Sequence, residues 1–324
     1  MTTGSEIKRY RHLFGPVPSR RLGRSLGVDL VPGKTCSFDC VFCEVGKTTE
    51  KTMDRREYIP LDEILGELTD WLQSRAEADY ITLAGSGEPT LHSRFGEILR
   101  FIRKRSSIPT ALLSNGTTMH IPDVRRAASA AHVVKISLSA WDQASFEKIN
   151  RPFSGLKFEQ IVEGQRAFRG EYRGELWVEV FVVDGINADP AQIEKIAALV
   201  HGVKPDRIHL NTVHRPPAVE GTLSVPESRL LELARLFTPE AEVATTFKSH
   251  SSAAVRVNEQ RLLDMLRRRP CTAEQMAQAF AVDLVLVKEL LRKMDEAGRV
   301  LIEYRDGDVY YRGRGSPDSR HSGG

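Results

Sequence analysis

The sequence predicts an α/β fold: a partial (β/α)6 barrel followed by a small C-terminal winged-helix domain. Three observations predict it. Short apolar runs rich in β-branched residues alternate with helix-period segments from about residue 25 to 215, the pattern of repeated βα units around a parallel sheet or barrel. Only roughly 200 residues carry this alternation, whereas a full eight-unit barrel usually takes about 250, so an open barrel of six units fits the length better. Beyond residue 255 the order changes to three helical segments and two short strands about an Arg-Asp-Gly-Asp turn, the order of a winged helix-turn-helix.

The six strands are read at residues 25–31 (SLGVDLV), 80–85 (YITLAG), 109–115 (PTALLSN), 133–139 (VVKISLS), 176–183 (LWVEVFVV) and 207–213 (RIHLNTV). All are short and mostly apolar, as strands covered on both faces are. Between them LDEILGELTDWLQS, FGEILRFIRKR, IPDVRRAAS, FEQIVEGQRAF and AQIEKIAALV place apolar residues three and four apart, so each helix buries one face on the sheet. Residues 226–254 read as a connecting helix and linker. VNEQRLLDMLRRR, TAEQMAQAF and VDLVLVKELLRKMDEAG then read as helices, and VLIEY and VYYRG as hairpin strands. The chain thus divides into a basic N-terminal segment (1–24), the barrel (25–225), the connecting helix and linker (226–254), a winged-helix-like domain (255–312) and a Gly/Ser-rich tail (313–324) expected to be disordered.

Of 324 residues, 41% are hydrophobic and 27% charged, which excludes a largely disordered chain and leaves room for one large and one small core. No apolar run approaches the roughly 20 residues that cross a bilayer, and the N-terminus MTTGSEIKRYRHLFG lacks the apolar centre of a signal peptide. A cytoplasmic location and no membrane partner are expected. The net charge of +3 is too small for the whole surface to trap a polyanion. Locally, residues 1–34 carry Lys8, Arg9, Arg11, Arg20, Arg21, Arg24 and Lys34 against Glu6 and Asp29.

Three of the four cysteines, Cys36, Cys40 and Cys43, fall within eight residues directly after the first strand; Cys271 stands alone. In a reducing compartment such spacing argues for metal ligation rather than a disulfide framework. The loop lies at the C-terminal mouth of the barrel, where such folds keep their active sites. Three thiolates on a four-iron cluster leave one iron open to an outside ligand. Zinc, with a fourth ligand from His12, His120 or Cys271, or plain buried thiols, is the alternative reading.

Cys36-Ser-Phe-Asp-Cys40-Val-Phe-Cys43 resembles the CxxxCxxC signature of the radical S-adenosylmethionine (SAM) superfamily, including the aromatic residue before the last cysteine. The resemblance implies a partial (β/α)6 barrel with the loop after its first strand. It also implies a [4Fe-4S] cluster with one open iron that passes an electron into SAM, giving methionine and a 5′-deoxyadenosyl radical that abstracts hydrogen from substrate. An electron donor such as flavodoxin or ferredoxin is then required. Gly85-Ser86-Gly87-Glu88-Pro89 resembles the family's GGE motif for the SAM amino group, with Ser86 in place of the first glycine. By the same likeness Ser114, Asn115, Ser137 and Ser139 suit the ribose, Arg151 the SAM carboxylate, and the strand around Asn211 the adenine. Singly, each of these polar residues is as readily explained by local backbone hydrogen bonding. The catalytic residues are not identified by the sequence.

The run from Phe14 to Asp29, with residues 34–43 and 212–217, resembles a branch related to the wyosine-forming tRNA enzymes. Unlike those enzymes, this chain has no cysteine before Cys36. Arg20, Arg21 and Arg24 are candidates for contacts with RNA or another anionic substrate, and His214 and Arg215 for gripping an anion at the barrel mouth; His209 and His214 otherwise read as hydrogen-bonded scaffold. Residues 255–324 carry thirteen Lys and Arg against eleven Asp and Glu, a weak footprint for DNA. Three functions compete: hydrogen abstraction on an RNA or other anionic substrate, the same chemistry on a peptide or small metabolite, and an iron-sulfur sensor whose winged helix binds DNA.

Overall fold

The computed structural model describes residues 10–19, 21–74, 76–243, 257–267, 270–280, 282–305 and 307–314. The chain opens on a hairpin: β1 (Leu13–Ser19) runs antiparallel to β2 (Gly23–Val28). A Cβ on Gly27 would meet the Phe14 ring at 2.0 Å, so glycine is what lets the aromatic lie across the hairpin. The two-residue strands β3 (Thr35–Cys36) and β4 (Glu50–Lys51) pair in parallel and bracket the cysteine loop.

The expected alternation follows. Helix α1 (Leu61–Gln73) leads to β5 (Tyr80–Leu83), α2 (Phe95–Arg105) to β6 (Thr110–Leu113) and α3 (Pro122–Ala128) to β7 (Val133–Ser137). Helices α4 (Gln143–Asn150) and α5 (Phe158–Glu171) precede β8 (Glu175–Phe181), and α6 (Pro190–Val203) precedes β9 (Arg207–Asn211). Helix α7 (Glu227–Ala234) returns the chain to β10 (Glu242–Val243). The sheet runs in the order β1-β2-β5-β6-β7-β8-β9-β10, every pair after β1-β2 being parallel.

Six parallel strands therefore lie where the sequence places them, but the sheet is mixed and has eight strands. The basic segment at residues 1–24 contributes the antiparallel edge strand β1. Outer helices bury their apolar stripes, for example Leu61, Ile64, Leu68 and Trp71 of α1. Inside, alternation along each strand builds layers. Leu22, Ala111, Val133 and Trp177 form an apolar floor, and the residues two positions further along, Lys135 on β7 and Glu179 on β8, face a cavity above it.

Beyond the barrel come α8 (Glu259–Leu266), α9 (Ala273–Phe280), α10 (Leu284–Glu296) and the hairpin β11 (Val300–Arg305) with β12 (Asp308–Gly313). They form a separate core around Leu262, Leu266, Met276, Phe280, Leu291 and Met294. This part also touches the barrel: Tyr310 Oη donates to the His214 carbonyl at 3.0 Å, and Met265 lines the central cavity. Gly313 belongs to β12 rather than to a tail, and residues 315–324 of that expected tail lie outside the described residues. Among the described residues no helix is long and apolar enough to cross a membrane.

Candidate active site

The cysteine loop is held from three sides. Asp39 N donates to the Asn150 carbonyl at 3.0 Å and Val41 N to the Ile149 carbonyl at 3.0 Å, so the open carbonyls at the end of α4 fix the loop backbone. Arg151 caps that helix with φ +44° and ψ +60°, and Phe153 N reaches the Ser37 carbonyl at 2.8 Å. From the same turn Asn150 Nδ2 points at Cys40 Sγ, 3.4 Å away. On the second side Asn115 Nδ2 donates to Ser37 Oγ at 2.8 Å and lies 3.6 Å from Cys36 Sγ. On the third, Lys34 Nζ sits 2.6 Å from Cys43 Sγ.

Charge follows from this packing. Burial pushes the Cys36 thiol up to about 11 against the pull of Lys34. Burial, then the neighbouring Cys43 and Cys36 sulfurs, drive Cys40 higher still. Burial opposes the Lys34 charge, but the sulfurs of Cys43 and Cys36 outweigh it and its pKa is raised. Three thiolates so close together need positive charge beyond one lysine.

The turn after β5 abuts this loop. A Cβ on Gly87 would meet the Thr35 carbonyl oxygen at 1.7 Å, and Glu88 N donates to that same carbonyl at 3.0 Å. Ser86 is turned away: its N–H lies 3.1 Å from both Asp29 carboxylate oxygens and its hydroxyl donates to Oδ2 at 2.6 Å. Glu88 is buried and accepts from Thr90 N at 3.0 Å, Ser114 Oγ at 2.8 Å and Asn115 N at 2.7 Å. Burial raises its pKa and these bonds reverse that only in part. As the structure stands, Glu88 knits the ends of β5 and β6 together.

The other sequence-selected residues divide. Ser139 is buried and its hydroxyl accepts from Phe181 N at 2.9 Å. Ser137 is half-buried at the end of β7, its carbonyl accepting from Gln165 Nε2 at 3.1 Å. Arg151 is exposed beside the cysteine loop. Asn211 lines the cavity, while its carbonyl accepts from Val182 N at 2.7 Å. Arg215 is not a free grip for an anion: it is buried and pairs with Glu44 at 2.6 Å. His209 is not hydrogen-bonded scaffold, since among the described residues neither ring nitrogen has a hydrogen-bond partner; it stands edge-on to Trp177, with Nε2 3.7 Å from the Glu242 carboxylate. Arg24 pairs with Asp79 and Glu77, both at 3.0 Å, and Arg21 turns into the barrel to Glu179, so both face carboxylates of this chain. Arg20 lies outside the described residues.

A cavity of about 380 Å³ runs from Cys43 and Gly85 at the strand ends down to Arg21, Lys135 and Glu179 above the floor. Residues 30–200 match the model of the family described as the Radical SAM superfamily. The chain belongs to that superfamily. A UPF0026 protein of Helicobacter pylori (strain 26695) is 33% identical over 273 residues, covering 81% of this chain and 86% of that protein, which places the chain in the UPF0026 family. A protein of Brachyspira hyodysenteriae named GTPase Obg is 33% identical over 313 residues, 95% of this chain but 46% of that protein; the chain spans less than half of its length. In fold, a radical SAM methyltransferase from Sphaerobacter thermophilus superposes with a TM-score of 0.51 at 17% identity, covering 68% of this chain and 65% of that one. The likeness to wyosine-forming tRNA enzymes is not carried by these matches.

The chain is thus a radical SAM enzyme, and its superfamily implies a [4Fe-4S] cluster and SAM. The residues present fit the cluster: three sulfurs, that of buried Cys36 and those of half-buried Cys40 and Cys43, share one cation and two amide donors. They do not suit a single zinc ion. His12 is engaged with Glu63 at 3.3 Å and His120 with the Thr117 carbonyl at 2.8 Å. Sequence reasoning missed Lys34, Asn150 and the Lys135–Glu179 pair as site residues, because contacts across strands or loops leave no local spacing. The polar residues on otherwise apolar β7 and β8 were the one available signal.

Proposed function

We propose that Cys36, Cys40 and Cys43 hold a [4Fe-4S] cluster with one iron open to SAM, and that the enzyme abstracts hydrogen from a substrate small enough to enter the barrel. When bound, the cluster supplies the electron that splits SAM into methionine and the 5′-deoxyadenosyl radical. The observation that carries the reading is the continuous cavity from Cys43 to the charged layer at Glu179, of a size that suits a metabolite or one protruding residue. Gly87 lets the strand-end turn approach the cysteine loop. Ser137 and Arg151, beside that mouth, are the side chains we assign to the SAM nucleoside and carboxylate, with Asn211 beside the adenine.

We read α8 to α10 with the β11–β12 hairpin as a winged helix that flanks the barrel rather than one that reads DNA. On α10, Lys293 pairs with Glu289 at 2.9 Å, Arg292 with Glu296 at 2.5 Å, and Lys288 with Glu274 of α9 at 3.4 Å. A helix whose cations already face carboxylates supports docking more than groove reading.

The test is anaerobic reconstitution followed by SAM and a strong reductant, with 5′-deoxyadenosine measured by chromatography. Formation by the wild type and its loss in Cys36→Ala, Cys40→Ala and Cys43→Ala is expected. An intact cluster that never cleaves SAM would sink the reading.

A further inference from the structure

The sheet does not close on itself: β1 and β10 are its two edges. The chain from α8 onward reaches from the β1 edge to the segment that follows β9. Helices α8 and α9 pack on β1, while Tyr310 Oη donates to the His214 carbonyl and Arg215 donates to the Cys271 sulfur. Met265 of α8 belongs to the apolar core of these later helices, and its position also makes it part of the wall of the cavity that reaches Cys43.

A second cavity, of about 30 Å³, lies in the seam between the β1–β2 hairpin and α8. Phe14, Val17 and Met265 line both spaces, whereas Arg261 and Asp264 line the smaller one and not the larger. The three apolar side chains are therefore the partition between the chamber and a charged seam. On the chamber side the surroundings are apolar as well. In the hairpin register Phe14 stands opposite Gly27 and Val17 opposite Ser25, and Leu22 of the floor lines the same space. The polar groups nearby are committed: the Ser25 and Thr82 hydroxyls bond each other at 2.6 Å, and Arg21 and Lys135 both donate to Glu179. Such a wall favours a group that leaves water at little cost, and a charge brought against it would lose its hydration without a new partner.

We propose that Phe14, Val17 and Met265 form a subsite for an uncharged, apolar group of the substrate, and that Met265, reaching in from α8, sets the size of the group admitted. This rests on reading the cavity as the substrate chamber of a radical SAM enzyme. Methionine is unbranched and adapts to what it packs against, so its length decides where the chamber ends.

The test is equilibrium dialysis of the cluster-loaded full chain against three probes: cyclohexanol, the larger neutral 2-naphthol, and charged cyclohexanecarboxylate. Saturable binding of cyclohexanol, about tenfold or more tighter than that of the carboxylate, is expected. Met265→Ala opens the partition and should raise the ratio of 2-naphthol to cyclohexanol affinity about tenfold. Met265→Trp, which extends the partition into the chamber, should lower that ratio. Val17→Ala, on the facing hairpin, should move it in the same direction as Met265→Ala, so the test survives a helix variant that fails to fold. A packing role alone would lower the melting temperature of these variants and leave the ratio where it is. No saturable binding of a neutral probe, equal affinity for the carboxylate, or a ratio unmoved by the variants overturns the proposal. SAM cleavage by the wild type is scored in parallel. Cleavage without the probe response rejects the subsite alone, and the probe response without cleavage rejects the radical SAM reading on which the substrate assignment rests.

Discussion

Lys34 shows how one side chain sets the character of the site. Its ammonium lies 2.6 Å from Cys43 Sγ and is buried among the three sulfurs. Hydrogen bonds to cluster sulfurs stabilise the reduced, more negative state. Lys34→Gln should therefore shift the cluster's midpoint potential to more negative values in a redox titration; an unchanged potential would show that the lysine does not face the cluster. Gly87 acts by size instead. Alanine there drives a methyl into the Thr35 carbonyl and should cost about 3 kcal/mol or more in denaturant unfolding. The cysteines and the glycine turn were legible because their spacing is local. Lys135 and Glu179 lie 44 positions apart and meet only through strand register, which the sequence does not display. Ser86, Ser139 and Arg215 were legible as polar residues, but not as ones already committed to Asp29, Phe181 and Glu44.

The elements show the same divide. The strands β2 and β5 to β9 announce themselves by apolar runs, whereas β1 carries Gly15, Pro16 and Pro18 and reads as a loop, since proline is confined to sheet edges. Helix α4 is short and was missed, although Asp142 and Ser145 form a capping box at its start. Its far end supports the cysteine loop, so Asn150→Ala should lower the iron retained after gel filtration without unfolding the barrel, as circular dichroism would verify. The β8–β9 pair makes stability depend on acid. Burial alone would raise the Glu179 carboxyl, but Lys135 and Arg21 outweigh it and hold it at about 2, while His209 is held at about 3. In both cases the unfolded chain takes up its proton first, so this stability is present above about pH 6.5 and is lost as pH falls toward 2, with Glu179 contributing on the order of 3 kcal/mol. His209→Phe should flatten the loss between about pH 6.5 and 4 in urea midpoints; an unchanged slope would mean that the imidazole is not held neutral.

At the scale of the whole molecule, the net +3 is small, Arg24 faces Asp79, Arg21 faces Glu179, and the cations of α10 face carboxylates. Arg24→Ala should therefore leave retention of total RNA unchanged in filter binding at physiological salt, where binding depends on phosphate neutralisation. The change of periodicity near residue 255 is visible in the sequence; the contact of Met265 with the cavity and of Tyr310 with His214 is not, because contacts between distant segments have no sequence period. What unites the scales is a cavity that joins Cys43 of the cysteine loop to a charged layer beneath it. The electron paramagnetic resonance spectrum of the reduced, reconstituted protein with and without SAM tests this most directly. A [4Fe-4S] signal that changes when SAM is added is predicted, and a cluster signal indifferent to SAM, or one that survives intact in Cys43→Ala, would contradict the account.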